Sequence, residues 1–321
     1  MKVIRRFYSS STRPPCALTI GNFDGVHRGH QALLQQLVQG ARARELSSCV
    51  LTFEPHPREF FTPNDAPPRI QNLRDKLLAL KSLGLDSIMI AEFNQAFALL
   101  SPTEFVTEIL VKQLNTKWIF VGDDFCYGAK RAGNFASLKT AGQQYGFQYG
   151  FEVTSISTVL QENERISSSL VRRALEMGDM LLASSLLGRP FSISGHVLYG
   201  KQLGRQLGFP TLNLSVSTLR RSHQPVTSGI FVAQVHGLAK EALPAVASLG
   251  VRPSVESSGE VLLETHVFNF NQSVYGKLVC VELLERLHEE RKYPDLKTLQ
   301  AAIQHDAQMA RDYFHKKNMY V

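Results

Sequence analysis

The 321 residues are 44% hydrophobic and 20% charged, which excludes a disordered or collagen-like chain and makes two domains the natural expectation for that length. No apolar run reaches the roughly 18 residues of a membrane span. The four cysteines, at 16, 49, 126 and 280, form no C-x-x-C pair and read as reduced thiols of a cytoplasmic protein. The net charge of +7 is spread along the chain without a basic tail, which argues against a nucleic-acid arm and for small anionic ligands such as nucleotides.

The opening MKVIRRFYSSSTRPP is basic and acid-free but lacks the apolar core of a secretory signal, so a short ordered lead-in is expected. Residues 16–20 form an apolar, β-branched run that predicts a buried strand. Gly21-Asn22-Phe23-Asp24-Gly25 is turn chemistry. Apolar residues at 33, 34, 37 and 38 then have helical spacing. Strands over 48–53, 86–93, 117–122 and 148–155 alternate with helices over 73–83, 102–114, 138–145 and 168–177, the last capped by Ser167. That βαβ rhythm predicts a parallel, doubly wound sheet with functional loops after the strand C-termini. Past Leu187-Gly188-Arg189-Pro190 the texture changes. Short strands are expected over 191–198, 211–216, 229–235, 244–249, 261–270 and 278–284, then one amphipathic helix over 296–314. Such a run predicts an antiparallel β-barrel with a terminal helix. The boundary is drawn at 186/187.

Four clusters and one strand carry chemistry-bearing residues. The first, TIGNFDGVHRGH, sets Gly21, Asn22 and Phe23 in a turn and His27 and His30 at a helix start. That end offers free N–H groups and a positive dipole to a phosphate. Two imidazoles there can stabilise charge during phosphoryl or nucleotidyl transfer. The bland alternative is a surface turn with incidental histidines; zinc is disfavoured because no further ligands stand at zinc spacing. The second cluster is Ser167-Ser168-Ser169-Leu170-Val171-Arg172, a helix start with hydroxyls and a guanidinium. It suits phosphate, or is a plain cap. The third is Gly122-Asp123-Asp124, whose acids suit Mg²⁺, a ribose or base, or an Asx turn.

The fourth runs from Gly200 to Asn213. Gly200 and Gly204 let a loop approach a ligand, and Lys201 and Arg205 add positive charge. It is not a Walker A loop, since no Gly-Lys-Ser/Thr ends it. Thr211 and Asn213 alternate on a strand, and an oxygen pair there suits Mg²⁺ with phosphates. Finally, Glu264 lies in an apolar strand and shares a face with Leu262 and His266. It reads as an edge carboxylate or as a base that accepts a hydroxyl proton.

Together these motifs closely resemble the bacterial bifunctional riboflavin kinase/FMN adenylyltransferases, also called FAD synthetases. The resemblance rests on TIGNFDGVHRGH, TFEPHP, VGDDFCYG, ISSSLVR, LLGRPF, GRQLGFPTLNL, GVRPS, LETHVFNF and ERLHEERKYPDLKTL, in that order over nearly the whole chain. It implies a Rossmann-like nucleotidyltransferase domain at 1–186 and a riboflavin kinase barrel at 187–321. The kinase turns riboflavin and ATP into FMN and ADP; the adenylyltransferase turns FMN and a second ATP into FAD and pyrophosphate. Mg²⁺ is implied, with no tightly bound prosthetic group. The partners are these small molecules, without nucleic acid or membrane, in a monomer or weak oligomer. By the same resemblance His27 and His30 stabilise the ATP phosphates, supported by Gly21, Asn22, Phe23, Ser168, Ser169 and Arg172. Asp124 lies near flavin or adenine. Gly200, Lys201, Gly204 and Arg205 bind the kinase nucleotide, Thr211 and Asn213 hold its metal, and Glu264 is the base toward the ribityl 5′-hydroxyl.

The chain departs from the family pattern at Ser169, which stands for the usual threonine and keeps its hydroxyl, and at Leu212 between the polar pair. Cys126 and His288 stand where arginines are usual. A class I aminoacyl-tRNA synthetase shares an H-x-G-H motif but would need a second lysine-rich loop and an RNA-binding domain, neither of which is visible. A non-catalytic nucleotide-binding regulator would be expected to lose one polar set, and both sets are present.

Overall fold

The computed structural model describes residues 1–5, 13–144, 150–156, 160–161, 164–200, 202–216, 225–251 and 261–318. By contact the chain divides into two compact units, 1–66 with 77–166, and 67–76 with 167–321.

The first unit is built on six parallel strands: β1 (Lys2–Ile4), β2 (Cys16–Ile20), β3 (Ser47–Glu54), β4 (Ser87–Glu92), β5 (Thr116–Gly122) and β8 (Glu152–Ile156). Their order is β1-β4-β3-β2-β5-β8. β2 is buried along its whole length, as a strand covered on both faces must be. The order reverses beside it: β3 and β4 step away on one side and β5 and β8 on the other. The crevice beyond the C-terminus of β2 is therefore the topological switch point, where such sheets bind ligands. Two small ribbons, β6 (Cys126–Tyr127) with β7 (Gly133–Asn134) and β9 (Leu160–Gln161) with β10 (Glu164–Arg165), decorate this unit. The helix expected over 102–114 starts as α-helix behind the Ser101 cap and widens to π-helix over Phe105–Gln113.

The second unit is a six-stranded antiparallel sheet of β11 (Phe191–His196), β12 (Leu212–Ser215), β13 (Gly229–His236), β14 (Leu243–Val251), β15 (Val261–Val267) and β16 (Leu278–His288). The order is β11-β16-β13-β14-β15-β12. A Leu198–Asn213 bridge brings the two ends together, so the sheet curls into a nearly closed barrel. Leu263, Thr265 and Val267 fill the inside, and alternate residues face outward. The Leu296–Lys316 helix, capped by Asp295, buries Ala307, Ala310 and Phe314 against Val232 and Val246.

The boundary expected at 186/187 and the division by contact, at 166/167, do not coincide. By packing, the helices Ser168–Met177 and Met180–Leu187 go with the barrel, the second of them against β11 and β16. Segment 67–76 joins them: Ser194 N donates to Asp75 Oδ2 at 3.0 Å, and Asn72 Nδ2 donates to the Ser194 carbonyl at 3.0 Å. Among the described residues no helix is long and apolar enough to cross a membrane.

Candidate active sites

The turn after β2 is strained and buried. Phe23 and Val26 take positive φ of 49° and 42°, a region costly for bulky or β-branched residues. They are 3% and 1% exposed, so packing holds them there. The turn delivers His27 as the N-cap of the Arg28–Ala43 helix, where its Nδ1 accepts the His30 N–H at 3.3 Å. An accepting Nδ1 leaves the ring proton of neutral His27 on Nε2. The His27 and His30 rings stack at 3.6 Å, and Phe23 meets His30 edge-on at 5.1 Å. A Cβ on Gly29 would sit 3.2 Å from the His27 ring. The first turn of this helix holds no acidic residue, so its positive end is not offset locally. Gly21 N donates to the Leu51 carbonyl at 3.0 Å, and Asn22 Oδ1 is buried without a hydrogen-bond partner among the described residues.

An aromatic wall rises from the neighbouring strand ends. Phe53 of β3 contacts Phe93, just past β4, at 5.7 Å between ring centres. Phe93 meets Phe60, Phe61 and Phe97, each at 5.6 Å, and Phe61 is 62% exposed. Phe125 stacks on Tyr127 at 5.8 Å. The sequence reading missed this wall, because it is assembled from three separate loops. Asp124 sits in the tight turn after β5, where Phe125 N donates to the Gly122 carbonyl at 3.1 Å. A Cβ on Gly122 would lie 2.7 Å from Asp124 Oδ1, so that glycine admits the carboxylate. Among the described residues no three His, Cys, Asp or Glu side chains gather as a metal cluster.

Ser167, Ser168, Ser169 and Arg172 belong to the second unit. Ser167 Oγ caps its helix by accepting Leu170 N at 3.2 Å, and Arg172 Nε donates to the Pro68 carbonyl at 2.8 Å.

The barrel carries the other cluster. Strand β12 begins at Leu212, one residue after Thr211. Asn213 pairs with Glu264 of β15, which pairs with Ser248 of β14, so the three side chains share the outward face. Asn213 is 6% exposed, and its Oδ1 has no hydrogen-bond partner among the described residues. Gly200 is folded against it: a Cβ there would lie 2.5 Å from Asn213 Nδ2. Gly204 lies against the Phe209 carbonyl, with Thr211 Oγ1 3.4 Å from where its Cβ would be. A one-turn helix, Leu203–Gln206, interrupts the expected open loop. Lys201 lies outside the described residues. Arg205 and Thr211 line a pocket with Pro210, Phe270 and Tyr275. At the edge of this loop Tyr199 stacks on Tyr275 at 3.9 Å. His266, two residues from Glu264, donates through Nδ1 to the Pro210 carbonyl at 2.9 Å and pins the loop's end. Burial pushes its pKa below the ordinary histidine value, and the charge of Arg311 lowers it further.

Two family models divide the chain: "FAD synthetase" matches residues 9–170 and "Riboflavin kinase" residues 187–314. The bifunctional riboflavin kinase/FMN adenylyltransferase of Escherichia coli K12 is 43% identical over 98% of each chain. That of Haemophilus influenzae is 39% identical over 98% of this chain and 100% of its own.

The chain belongs to the bifunctional riboflavin kinase/FMN adenylyltransferase family.

A solved structure described as a macrolide-efflux protein from Streptococcus pneumoniae is 29% identical, with a TM-score of 0.77 over 97% of this chain and 99% of that one. Two departures from the family pattern find local partners here. Cys126 Sγ donates to the Asp124 carbonyl at 3.6 Å. His288 Nε2 lies 2.8 Å from Asp306 Oδ1 of the closing helix.

Proposed function

We propose that the chain makes FMN and FAD in two steps at separate sites, residues 1–186 carrying adenylylation and 187–321 riboflavin phosphorylation. The observation that carries this reading is that the two family models divide the chain, one over 9–170 and the other over 187–314. In the barrel, riboflavin's 5′-hydroxyl attacks the γ-phosphorus of ATP, its proton passes to Glu264, and ADP leaves. A positioned carboxylate contributes typically 10²–10⁴-fold to such a transfer. Gly200, Lys201, Gly204 and Arg205 cradle the nucleotide. Thr211 and Asn213 would hold Mg²⁺: the buried, unsatisfied Oδ1 of Asn213 beside a carboxylate and a hydroxyl is a hard-oxygen donor set that fits this ion. When bound, the ion supplies neutralisation of phosphate charge.

In the first unit, an FMN phosphate oxygen attacks the α-phosphorus of a second ATP and pyrophosphate leaves. The Nε2–H of His27, the His30 ring and the helix N-terminus stabilise the negative charge that moves onto the leaving group. Gly21, Asn22 and Phe23 shape the turn that holds them. Ser168, Ser169 and Arg172, which pack with the second unit, are assigned to phosphate binding by the family resemblance alone. Asp124 serves the flavin or adenine, and the exposed edge of the aromatic wall at Phe61 offers a flat platform for the isoalloxazine ring. The enzyme is read as cytoplasmic, a monomer or weak oligomer, acting on small molecules rather than nucleic acid or membrane.

The test is chromatography of flavins after incubation of the full chain with riboflavin, ATP and Mg²⁺. His30→Ala is expected to stop at FMN, with adenylylation down on the order of 10²–10³-fold. Glu264→Gln is expected to adenylylate supplied FMN normally yet phosphorylate riboflavin poorly. A His30→Ala protein that makes FAD at the parent rate, or a Glu264→Gln protein less than about tenfold impaired in FMN formation, refutes the corresponding assignment.

A further inference from the structure

The outward row on the barrel does not end at Ser248. Its hydroxyl donates to Glu290 Oε1 at 3.3 Å. Two residues along β14, Gly250 lies beneath the same group: a Cβ there would fall on the Glu290 carboxyl. The bare backbone of Gly250 is thus the seat of that carboxyl. The order along the face is Asn213, Glu264, Ser248, Glu290, which comes from four separate stretches of chain. Glu290 is an exposed residue whose carboxyl is sheltered on one side. That shelter, and secondarily the charge of Glu264, pushes its pKa above the ordinary carboxylate value.

The segment bearing Glu290 is anchored. His288, the last residue of β16, meets Asp306 Oδ1 through Nε2 at 2.8 Å and the Glu289 carbonyl through Nδ1 at 2.7 Å. The anchor holds Glu290 beside the reacting carboxylate in a way that packing alone, at an exposed position, would not. Carboxylates carried to one face by separate stretches of chain suit a chain of hydroxyls, each finding its own oxygen.

We propose that Glu290 is a substrate-binding residue of the kinase site, accepting a hydrogen bond from a secondary hydroxyl of the ribityl chain and so directing the terminal hydroxyl onto Glu264. This rests on the assignment of riboflavin phosphorylation to the barrel. Glu264 takes the proton of the hydroxyl that reacts; Glu290 fixes the rotamer of the chain that carries it.

The experiment compares two acceptors on the full chain: riboflavin, and a flavin whose N10 substituent is an unbranched 5-hydroxypentyl chain, which keeps the terminal hydroxyl and lacks the others. Loss of a hydrogen bond to a charged group is expected to lower kcat/KM of Glu290→Ala for riboflavin by about 10- to 150-fold. For the hydroxypentyl flavin the same variant is expected to stay within about threefold of the parent, because the interaction is already absent. Glu290→Gln, which retains the volume and a polar contact to Ser248, is expected to show a smaller loss confined to riboflavin. FAD formation from supplied FMN and the melting temperature check that each variant is folded; where Ala disturbs them, the Gln variant carries the comparison. Equal losses on both flavins overturn the proposal and leave Glu290 a structural residue. An undiminished rate on riboflavin overturns it as well. A parent chain that makes no FMN fails the kinase assignment itself, before any variant is considered.

Discussion

Gly200→Ala tests the kinase site without touching any group that reacts. The added Cβ would lie 2.5 Å from Asn213 Nδ2, 2.7 Å from its Cγ and 2.9 Å from its Oδ1. Ordinary contacts begin near 3.5 Å, so about 1 Å of movement is needed. Asn213 is short, 6% exposed and held in β12 opposite Glu264, and the far end of its side chain has little room to retreat. Either the amide turns away or the loop lifts, and both remove Asn213 Oδ1 from its place. If that oxygen serves a metal–nucleotide complex, the loss of a contact to a charged partner is worth about 1.5–3 kcal/mol, or roughly 10- to 150-fold in kcat/KM. Gly208→Ala is the matched control. No atom lies within 4 Å of its Cβ position, but its φ is +88°, so the substitution costs about 1–2 kcal/mol of backbone strain and leaves the site alone. The assay is FMN formation at varied ATP, with FAD formation from supplied FMN as an internal standard. A Gly200→Ala protein within threefold of the parent in FMN formation, with a normal melting temperature, would refute the role given to Asn213.

Phe61→Ala should raise the KM for FMN in adenylylation by about 2- to 12-fold, the range of an aromatic stacking contact, with little change in melting temperature because the ring is 62% exposed; an unchanged KM removes Phe61 from the flavin platform. His266 makes the barrel acid-sensitive. Its folded pKa is depressed from 6.5 chiefly by burial, so the stability it contributes is present above 6.5 and is lost as pH falls through that value toward the lower folded one. Melting curves between pH 8 and 5 should show a loss of stability that is smaller in His266→Asn, and parallel curves would contradict this. A fragment of residues 167–321 should melt higher than one of 187–321, since Ala183 and Leu186 are buried and Arg286 Nη2 donates to the Met177 carbonyl at 2.6 Å. Equal melting temperatures would show that these helices do not stabilise the barrel.

Local chemistry made much of the fold legible. The 16–20 strand, the glycine turn and the helix behind it follow from apolar spacing and turn residues within the 23 positions from 16 to 38, and the structure reproduces that order. The helix caps at Ser101, Ser167 and Asp295 are likewise short-range. Glu264 could be placed on one face of its strand with Leu262 and His266 because side chains alternate there with a period of two. Tertiary structure decided the rest. The three-residue strand Lys2–Ile4 exists only because β4 offers an edge to pair with. The helix Met180–Leu187 is an apolar run with no amphipathic period to announce it, and it forms where the barrel covers it. Strand β16 runs to His288 rather than 284, because β13 continues to pair with it through a bulge. The aromatic wall joins residues from Phe53 to Tyr127, and the Asn213–Glu264–Ser248–Glu290 row joins four stretches of chain. No spacing along a sequence encodes such neighbours, since strand pairing and register alone set which side chains meet across a sheet.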